Sequence, residues 1–300
     1  MEQRILKSGD LEFTALACGW TDHGAAPLVL CLHGFPDSAQ TFRWQLPALA
    51  EAGYRALAPT MRGYEPSSQP ADGDYRIATM ARDVIAWMDE LGEERIHLVG
   101  HDWGAAVTYA AGALAPERFH SLSTIAVPHA ARMRRSLWRA PSQLLKLWYM
   151  NFFQLRGLAD WALQRNDWSL LRWLVRRWSP GLELAGAEWE HLRATFEAPG
   201  VKRAMLAYYR QNVSPAIFLG LKVPEAMRLR RVPVRTLALV GEDDGCMEAR
   251  LYEHLFHEDD FPAGFRIERL SGAGHFAHLE RPDAVNELLL DWLGPAGQGS

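Results

Sequence analysis

Short apolar runs that end in glycine alternate with amphipathic stretches along much of this chain, and that rhythm restricts its fold. Apolar residues dominate LVLCLHG (Leu28 to Gly34), IHLVG (Ile96 to Gly100) and VRTLALVG (Val234 to Gly241), as in strands buried on both faces of a parallel sheet. Helical patterns run from about Gln40 to Ala52, from Ile77 to Leu91 and from about Met247 to Phe256. This order predicts an α/β fold with a mostly parallel, doubly wound sheet.

Two regions depart from the alternation. Near the start, two short apolar runs flank an SGD turn between Arg4 and about Gly19, which predicts an antiparallel hairpin. From His129 to Arg231 we find no pattern of a buried strand, but several helical patterns and seven of the twelve Trp residues. The 300 residues are therefore predicted to form one core, residues 1–128 and 232–300, with a helical cap inserted at 129–231.

Composition and charge narrow the classes of function. Apolar residues make up 48% of the chain and charged residues 23%, which is typical of a globular protein. The net charge is only −4 and both signs are interspersed, so we expect no nucleic-acid partner. The absence of a signal-peptide pattern and of any apolar stretch long enough to span a membrane favours a cytoplasmic protein without membrane insertion. The sequence leaves open whether the protein is a monomer or a homodimer.

The cysteines and most histidines stand outside recognisable motifs. Cys18, Cys31 and Cys246 form neither a C-x-x-C pair nor a Cys/His spacing typical of zinc ligands. We therefore predict reduced, mostly buried thiols, no disulfide framework and no metal site. The histidines interpreted as surface or structural residues are His97, His120 and His254.

Gly100-His101-Asp102-Trp103-Gly104 joins the end of a predicted strand to the start of a predicted helix. Such a sharp turn lifts one side chain out of the sheet and needs glycine on either side for clearance, as in a nucleophile elbow. The elbow residue here is an aspartate, so Asp102 is the candidate nucleophile. A simpler interpretation is that Asp102 caps the following helix, a common position for aspartate.

The loop His33-Gly34-Phe35-Pro36 follows the preceding buried strand. It is expected to place the Phe35 N–H beside the elbow, where it and the Trp103 N–H would form a two-donor oxyanion hole. A cis bond before Pro36 is compatible with such a tight turn. Taken alone, the same four residues also fit an ordinary loop.

Two later loops supply an acid and a base. GEDDG follows the strand TLALV, and GAGHFAHLERP follows the strand FRIERLS, so the chain order is nucleophile, acid, histidine. His275 lies in the second loop and is the candidate base, since imidazole titrates near neutral pH. The residues themselves leave the acid open among Glu242, Asp243 and Asp244.

HGFP, GHDWG, GEDD and GAGHF, with MRGY (Met61 to Tyr64) and LERP, occur here in an order similar to that of the soluble epoxide hydrolases. This branch of the α/β-hydrolase superfamily is related to the haloalkane dehalogenases, and the resemblance covers nearly the whole chain. It implies the α/β-hydrolase fold with Asp102 as nucleophile. It also implies that the triad acid is Asp244.

The resemblance further implies two cap tyrosines over the nucleophile. Tyr149 in WYMNFFQ and Tyr209 in YYRQN match the family positions, although both also fit the aromatic core of a Trp-rich cap, and Tyr208 competes for the second role. The residues expected to line the substrate site are Pro36, Trp103, Tyr149 and Tyr209.

The implied reaction is hydrolysis of a small apolar epoxide to a vicinal diol through an ester on Asp102. Water is the second substrate, and the reaction needs no cofactor or metal. A haloalkane dehalogenase would use the same Asp102 and bind halide with Trp103, but Phe35 stands where such enzymes often have Asn. Fluoroacetate-type dehalogenases carry arginines that are missing from WGAAV. A third alternative is a ligand-binding protein without turnover, for which a complete triad would serve no purpose.

Overall fold

The computed structural model describes residues 1–20, 26–133, 140–213, 216, 221–223 and 228–296. Eight strands form one sheet in the order β1-β2-β4-β3-β5-β6-β7-β8. Only the pairs β1/β2 and β2/β4 are antiparallel, which confirms the predicted hairpin and mostly parallel sheet. The strands are β1 (Glu2–Ser8), β2 (Leu11–Cys18), β3 (Leu28–Leu32), β4 (Arg55–Pro59), β5 (Ile96–His101), β6 (Phe119–Ile125), β7 (Thr236–Gly241) and β8 (Phe265–Leu270).

Five of the α-helices in the described part of the chain, α4 to α8, lie between β6 and β7, where the sequence predicted a helical insertion. Helix α6 is kinked at Arg165–Trp168, and three of these residues have positive φ. The helices are α1 (Gln45–Glu51), α2 (Ile77–Leu91), α3 (Trp103–Leu114), α4 (Ser142–Lys146), α5 (Trp148–Phe152), α6 (Leu158–Trp178), α7 (Gly186–Glu197), α8 (Val201–Asn212), α9 (Tyr252–Leu255), α10 (Ala277–Glu280) and α11 (Pro282–Leu293).

Two predicted helices are shorter than the pattern indicated. The helix expected over 40–52 is a 3-10 turn (Ala39–Phe42) followed by α1, because Pro47 can occupy the first turn of a helix but not its interior. The helix expected over 247–256 is likewise a 3-10 turn (Ala249–Leu251) followed by α9. Just before that turn, the backbone N–H groups donate to side chains instead: those of Cys246 and Met247 to Asp244, and that of Glu248 to Gln143.

The sheet is covered on both faces, which explains why its strands lack the alternation of a half-exposed strand. In β3, Leu28, Leu30 and Leu32 pack into one hydrophobic cluster, whereas Val29 and Cys31 pack into the other. Successive side chains of a strand point to opposite faces, so burial of both faces requires a continuous apolar run.

The loops that carry the predicted motifs meet at one edge of this sheet. They follow β3, β5, β7 and β8, which run parallel, so their carboxyl ends lie side by side. In α/β sheets this edge is the usual place for a ligand site. Among the described helices, none is long and apolar enough to cross a membrane.

Candidate active site

Asp102 lies between β5 and α3 with φ 52° and ψ −116°, a backbone conformation that is costly for any residue other than glycine. Gly100 and Gly104 make the turn possible, since a Cβ on Gly104 would collide with the Leu32 carbonyl and a Cβ on Gly100 with the Gly104 backbone. Asp102 occupies the N-cap position of α3, but its side chain makes no capping hydrogen bond. Capping therefore does not explain this carboxylate.

The Asp102 carboxylate is almost completely buried and faces two groups. Its Oδ1 accepts a hydrogen bond from the Phe35 N–H at 2.8 Å, and its Oδ2 lies 3.4 Å from Nε2 of His275. The bond from Phe35 to Pro36 is cis, as the tight turn allowed. Trp103 begins α3, so its N–H lies in the first turn, where a helix leaves such groups without an intrahelical partner. The structure thus brings both predicted oxyanion donors to the nucleophile, with Phe35 already bonded to it.

His275 is oriented by Asp244. The His275 Nδ1 lies 3.0 Å from Asp244 Oδ2, while Asp244 Oδ1 accepts the N–H groups of Cys246 and Met247 at 2.6 and 2.8 Å. Glu242, the other end of the same acidic stretch, is exposed. Burial lowers the pKa of His275, but the two carboxylates outweigh burial and raise it above its ordinary value. Asp102, His275 and Asp244 therefore form one continuous chain of contacts.

The two tyrosines predicted to cover the nucleophile both lie in the helical insertion. Tyr149 on α5 and Tyr209 on α8 are both 1% exposed, and their ring centroids are 5.7 Å apart. Tyr209 also packs against the rings of Trp103 and Phe35, at 5.0 and 5.2 Å. Burial raises the pKa of both phenols, and the charge of Asp102 raises it further.

Tyr208, the competing tyrosine, serves elsewhere. Its hydroxyl donates to the Arg62 carbonyl at 2.7 Å, while its ring packs against Tyr64 and Tyr75. Tyr208 and Tyr209 are neighbours on α8, so their side chains diverge and only one of them reaches the nucleophile.

Three residues of the site carried no recognisable signal in the sequence. Cys246, expected only to be a buried thiol, has its Sγ 3.4 Å from the Tyr149 hydroxyl. The carbonyl of Trp178, at the end of α6, accepts the N–H groups of both Gly245 and His275, at 3.1 and 3.0 Å. Ser179 follows it, and its Oγ accepts the Phe276 N–H at 2.8 Å. Trp178 and Ser179, which lie in the helical insertion, thus fix the loops of the acid and of the histidine. Only Cys246 had a hint in the sequence, because it lies close to GEDD.

Two groups of buried side chains have the composition of a metal site among the described residues. They are Asp244, Cys246 and His275, and Asp37, His101 and His278, with ligand atoms within 4.8 Å of one another in each group. In the first group His275 and Asp244 are already bonded to each other. In the second, the Nε2 atoms of His101 and His278 are engaged by the His275 carbonyl and by Thr41. All three cysteines are free thiols.

Comparison with known proteins identifies the family of this chain. Residues 27–282 match the family described as "alpha/beta hydrolase fold". The chain is 31% identical over 268 residues to the AB hydrolase superfamily protein YfhM of Bacillus subtilis, covering 89% of this chain and 90% of that protein. It is 31% identical over 295 residues to human epoxide hydrolase 4, covering 96% of this chain and 77% of the relative.

Solved structures give the same result. The crystal structure of epoxide hydrolase A from Mycobacterium thermoresistibile superimposes with a TM-score of 0.76 at 27% identity, covering 97% of this chain and 98% of the other. An epoxide hydrolase from a hot-environment metagenome gives a TM-score of 0.82, also at 27% identity, covering 98% and 99%. The chain therefore belongs to the α/β-hydrolase family, and proteins named as epoxide hydrolases are similar to it over nearly its whole length.

Proposed function

We propose that this protein hydrolyses an epoxide to a vicinal diol through a covalent ester on Asp102. The observation that carries the proposal is the position of the carboxylate between an acid–histidine pair and two tyrosines. On one side it contacts the His275–Asp244 pair. On the other side, the Tyr209 ring packs against Phe35 and Trp103, the neighbours of the carboxylate, and Tyr149 packs against Tyr209. A serine would need a base before it could attack, whereas a carboxylate is ionised at neutral pH and can displace the epoxide oxygen directly.

In the first half-reaction Asp102 Oδ2 is the attacking atom, because Oδ1 is held by the Phe35 N–H. A bond forms between Oδ2 and one epoxide carbon while the bond from that carbon to the ring oxygen breaks. The developing alkoxide accepts hydrogen bonds from Tyr149 and Tyr209 and finally takes one proton, which leaves one of the two phenols as a phenolate. Burial raises the pKa of both phenols, which keeps them in the protonated form that donates.

In the second half-reaction the ester carbonyl is the electrophile. Esterification removes the charge of Asp102, one of the two carboxylates that raise the pKa of His275. The pKa of His275 therefore falls, and the imidazole more readily adopts the neutral form that can accept a proton from water. Water attacks the ester carbon, and the Phe35 and Trp103 N–H groups stabilise the oxyanion at Oδ1. Collapse of this intermediate expels the diol, whose leaving oxygen takes the proton from His275. The second water proton, left on Asp102, returns to the phenolate formed during ring opening, which restores both the Asp102 carboxylate and the phenol.

The helical insertion serves in this proposal as a cap, with residues 129–231 as its extent. It supplies both tyrosines, and aromatic rings such as Phe153 and Trp178 pack around them, at 4.9 Å from Tyr209 and 5.0 Å from Tyr149. Aromatic walls with a few convergent polar groups favour a small apolar epoxide over a charged substrate. Each step is complete with protein groups and water, so the proposal includes no cofactor.

Dehalogenation is the competing reaction on the same nucleophile. A halide site would use the indole N–H of Trp103, but the Trp103 ring packs edge-on against the Tyr209 ring at 5.0 Å, and its side chain counteracts the rise in the pKa of that phenol. This contact favours the epoxide. A turnover screen of small epoxides beside chlorinated and brominated alkanes separates the two, because one product is a diol and the other is free halide.

One turnover in water enriched in oxygen-18 tests the ester itself. With enzyme in excess over styrene oxide, the label is expected in Asp102 and not in the diol, because solvent oxygen enters at the ester carbonyl. With substrate in excess, later turnovers transfer the label to the diol, which serves as the internal control. Label in the diol of the first turnover, with none in the protein, would mean direct attack by water and would remove Asp102 as nucleophile.

A further inference from the structure

The outer surface of the cap is unusually apolar. Of the thirteen large hydrophobic side chains that are exposed in the described part of the chain, seven lie between residues 140 and 178. Trp148 on α5 and Trp173 on α6 contact each other, with ring centroids 6.1 Å apart. We call this surface the cap face and define it by its most prominent residues, Leu144, Leu145, Trp148, Leu158, Trp161 and Trp173. A patch of this kind marks an interaction surface.

The same segment is basic within an acidic protein. Residues 140–178 contain six Lys and Arg but only two Asp, whereas the whole chain has a net charge of −4. Four of these cations, Arg156, Arg165, Arg176 and Arg177, are exposed and form no ion pair with any residue that the structure describes. Their charge therefore remains available for a partner.

Cations and indole rings also occupy the same surface. The Arg165 guanidinium lies 4.6 Å from the Trp161 ring centroid, and that of Arg177 lies 5.8 Å from the Trp173 centroid. Tryptophan beside Arg or Lys is the combination that favours the headgroup region of a bilayer, where the indole meets the acyl boundary and the cation meets phosphate. We propose that the cap face docks the protein on the surface of an anionic lipid membrane.

A second copy of this chain fits the cap face less well. In a two-fold symmetric dimer the same patch meets itself, so the unpaired arginines of one copy would face those of the other. An anionic bilayer instead complements the charge and receives the exposed rings. Docking of this kind requires no spanning helix, because the face lies on the membrane and does not cross it.

Helix α5 connects the cap face to the catalytic site. Trp148 is 39% exposed on the cap face, while the next residue, Tyr149, is 1% exposed and faces the nucleophile. A docked protein would thus hold its site one short helix away from the lipid in which apolar epoxides dissolve. This connection rests on the proposed function, whereas the docking itself does not.

Co-sedimentation with vesicles tests the docking. The wild type is expected to bind vesicles of phosphatidylcholine mixed with phosphatidylglycerol, to bind pure phosphatidylcholine weakly, and to be released by salt. Each cation at such a surface contributes about fivefold to affinity, so the double variant Arg165→Gln with Arg177→Gln, at the two arginines beside Trp161 and Trp173, is expected to bind roughly 25-fold more weakly. The matched control is Trp44→Ser, which removes an exposed Trp beside an Arg in the core and is expected to bind like the wild type.

Leu145→Glu provides a second variant, because Leu145 is 77% exposed and its replacement disturbs no packed contact. It is expected to lose vesicle binding and keep its unfolding transition. Wild-type protein that stays in the supernatant, or an equal loss in Trp44→Ser, would overturn the proposal. A wild-type dimer that Leu145→Glu converts to a monomer would assign the face to a second copy. Diol formation from a water-soluble epoxide, measured in the arginine variant, tests the proposed function separately.

Discussion

The part of the candidate site that lies in the core and the part that lies in the helical insertion are held in different ways. In the core, hydrogen bonds fix the catalytic atoms: the Phe35 N–H holds Asp102, and Asp244 holds His275. In the helical insertion, ring packing positions Tyr149 and Tyr209, and the Tyr149 hydroxyl lies 3.4 Å from the Cys246 thiol. In the proposed mechanism, hydrolysis of the ester therefore depends on a preorganised polar network, whereas ring opening depends on how the helical insertion packs. Variants of single residues in each region sharpen or break this distinction.

The largest effect is expected for His275→Gln. Asp102 needs no base to attack, so the variant is expected to form the ester and stop there, with hydrolysis slowed by on the order of 10³-fold or more. Mass spectrometry of the intact protein should detect a stable increase equal to one whole substrate, which the wild type shows only weakly. A folded variant that never gains this mass would mean that His275 also activates the nucleophile, as in a serine enzyme.

A smaller and opposite effect is expected for Tyr149→Phe and Tyr209→Phe. Each removes one of two donors to the alkoxide, so ester formation in a rapid-mixing experiment should slow by about 10²-fold while hydrolysis of the ester changes little. Tyr208→Phe is the matched control, since its hydroxyl serves the Arg62 carbonyl. It is expected to lower stability and leave both half-reactions intact. Equal slowing of both half-reactions in the Tyr149 and Tyr209 variants would instead indicate that these tyrosines only support the cap.

The smallest effect is expected at the junction of the two regions. Ser179→Ala removes the acceptor of the buried Phe276 N–H, so unfolding by urea should reveal a loss of about 1–3 kcal/mol. Because Phe276 adjoins His275, hydrolysis of the ester should slow severalfold while ester formation is unchanged. Ser169→Ala, at an exposed position of α6, is the control and should alter neither. A Ser179 variant that slows ring opening would contradict this division of roles between the core and the helical insertion.

The core was predictable because each of its signals is local. Burial on both faces produced the continuous apolar runs of β3, β5 and β7, and the sharp turn at Asp102 required glycines nearby. The acid was not predictable from the residues alone, since GEDD offers three carboxylates. What distinguishes Asp244 is burial against His275, and that contact joins residues 31 positions apart.

The cap was predictable only in outline. Its helical character follows from composition and pattern, but the kink at Arg165–Trp168 leaves no breaker residue such as Pro or Gly in the sequence. The contacts of Cys246 with Tyr149 and of Trp178 with Gly245 join segments 97 and 67 positions apart along the chain. Contacts of this kind are set by how the cap settles on the core, and no local pattern encodes them.

The Trp178 carbonyl links two loops of the candidate site to the helical insertion. One oxygen at the end of α6 holds the backbone of the acid loop and the backbone of the histidine loop at the same time. Lifting this end of α6 would break both hydrogen bonds. In the proposed mechanism, the two loops that carry the water-activating pair are thus joined through one carbonyl of the helical insertion. An ester on Asp102 that forms while these hydrogen bonds are intact would meet His275 in position to activate water. An ester present after they break would persist.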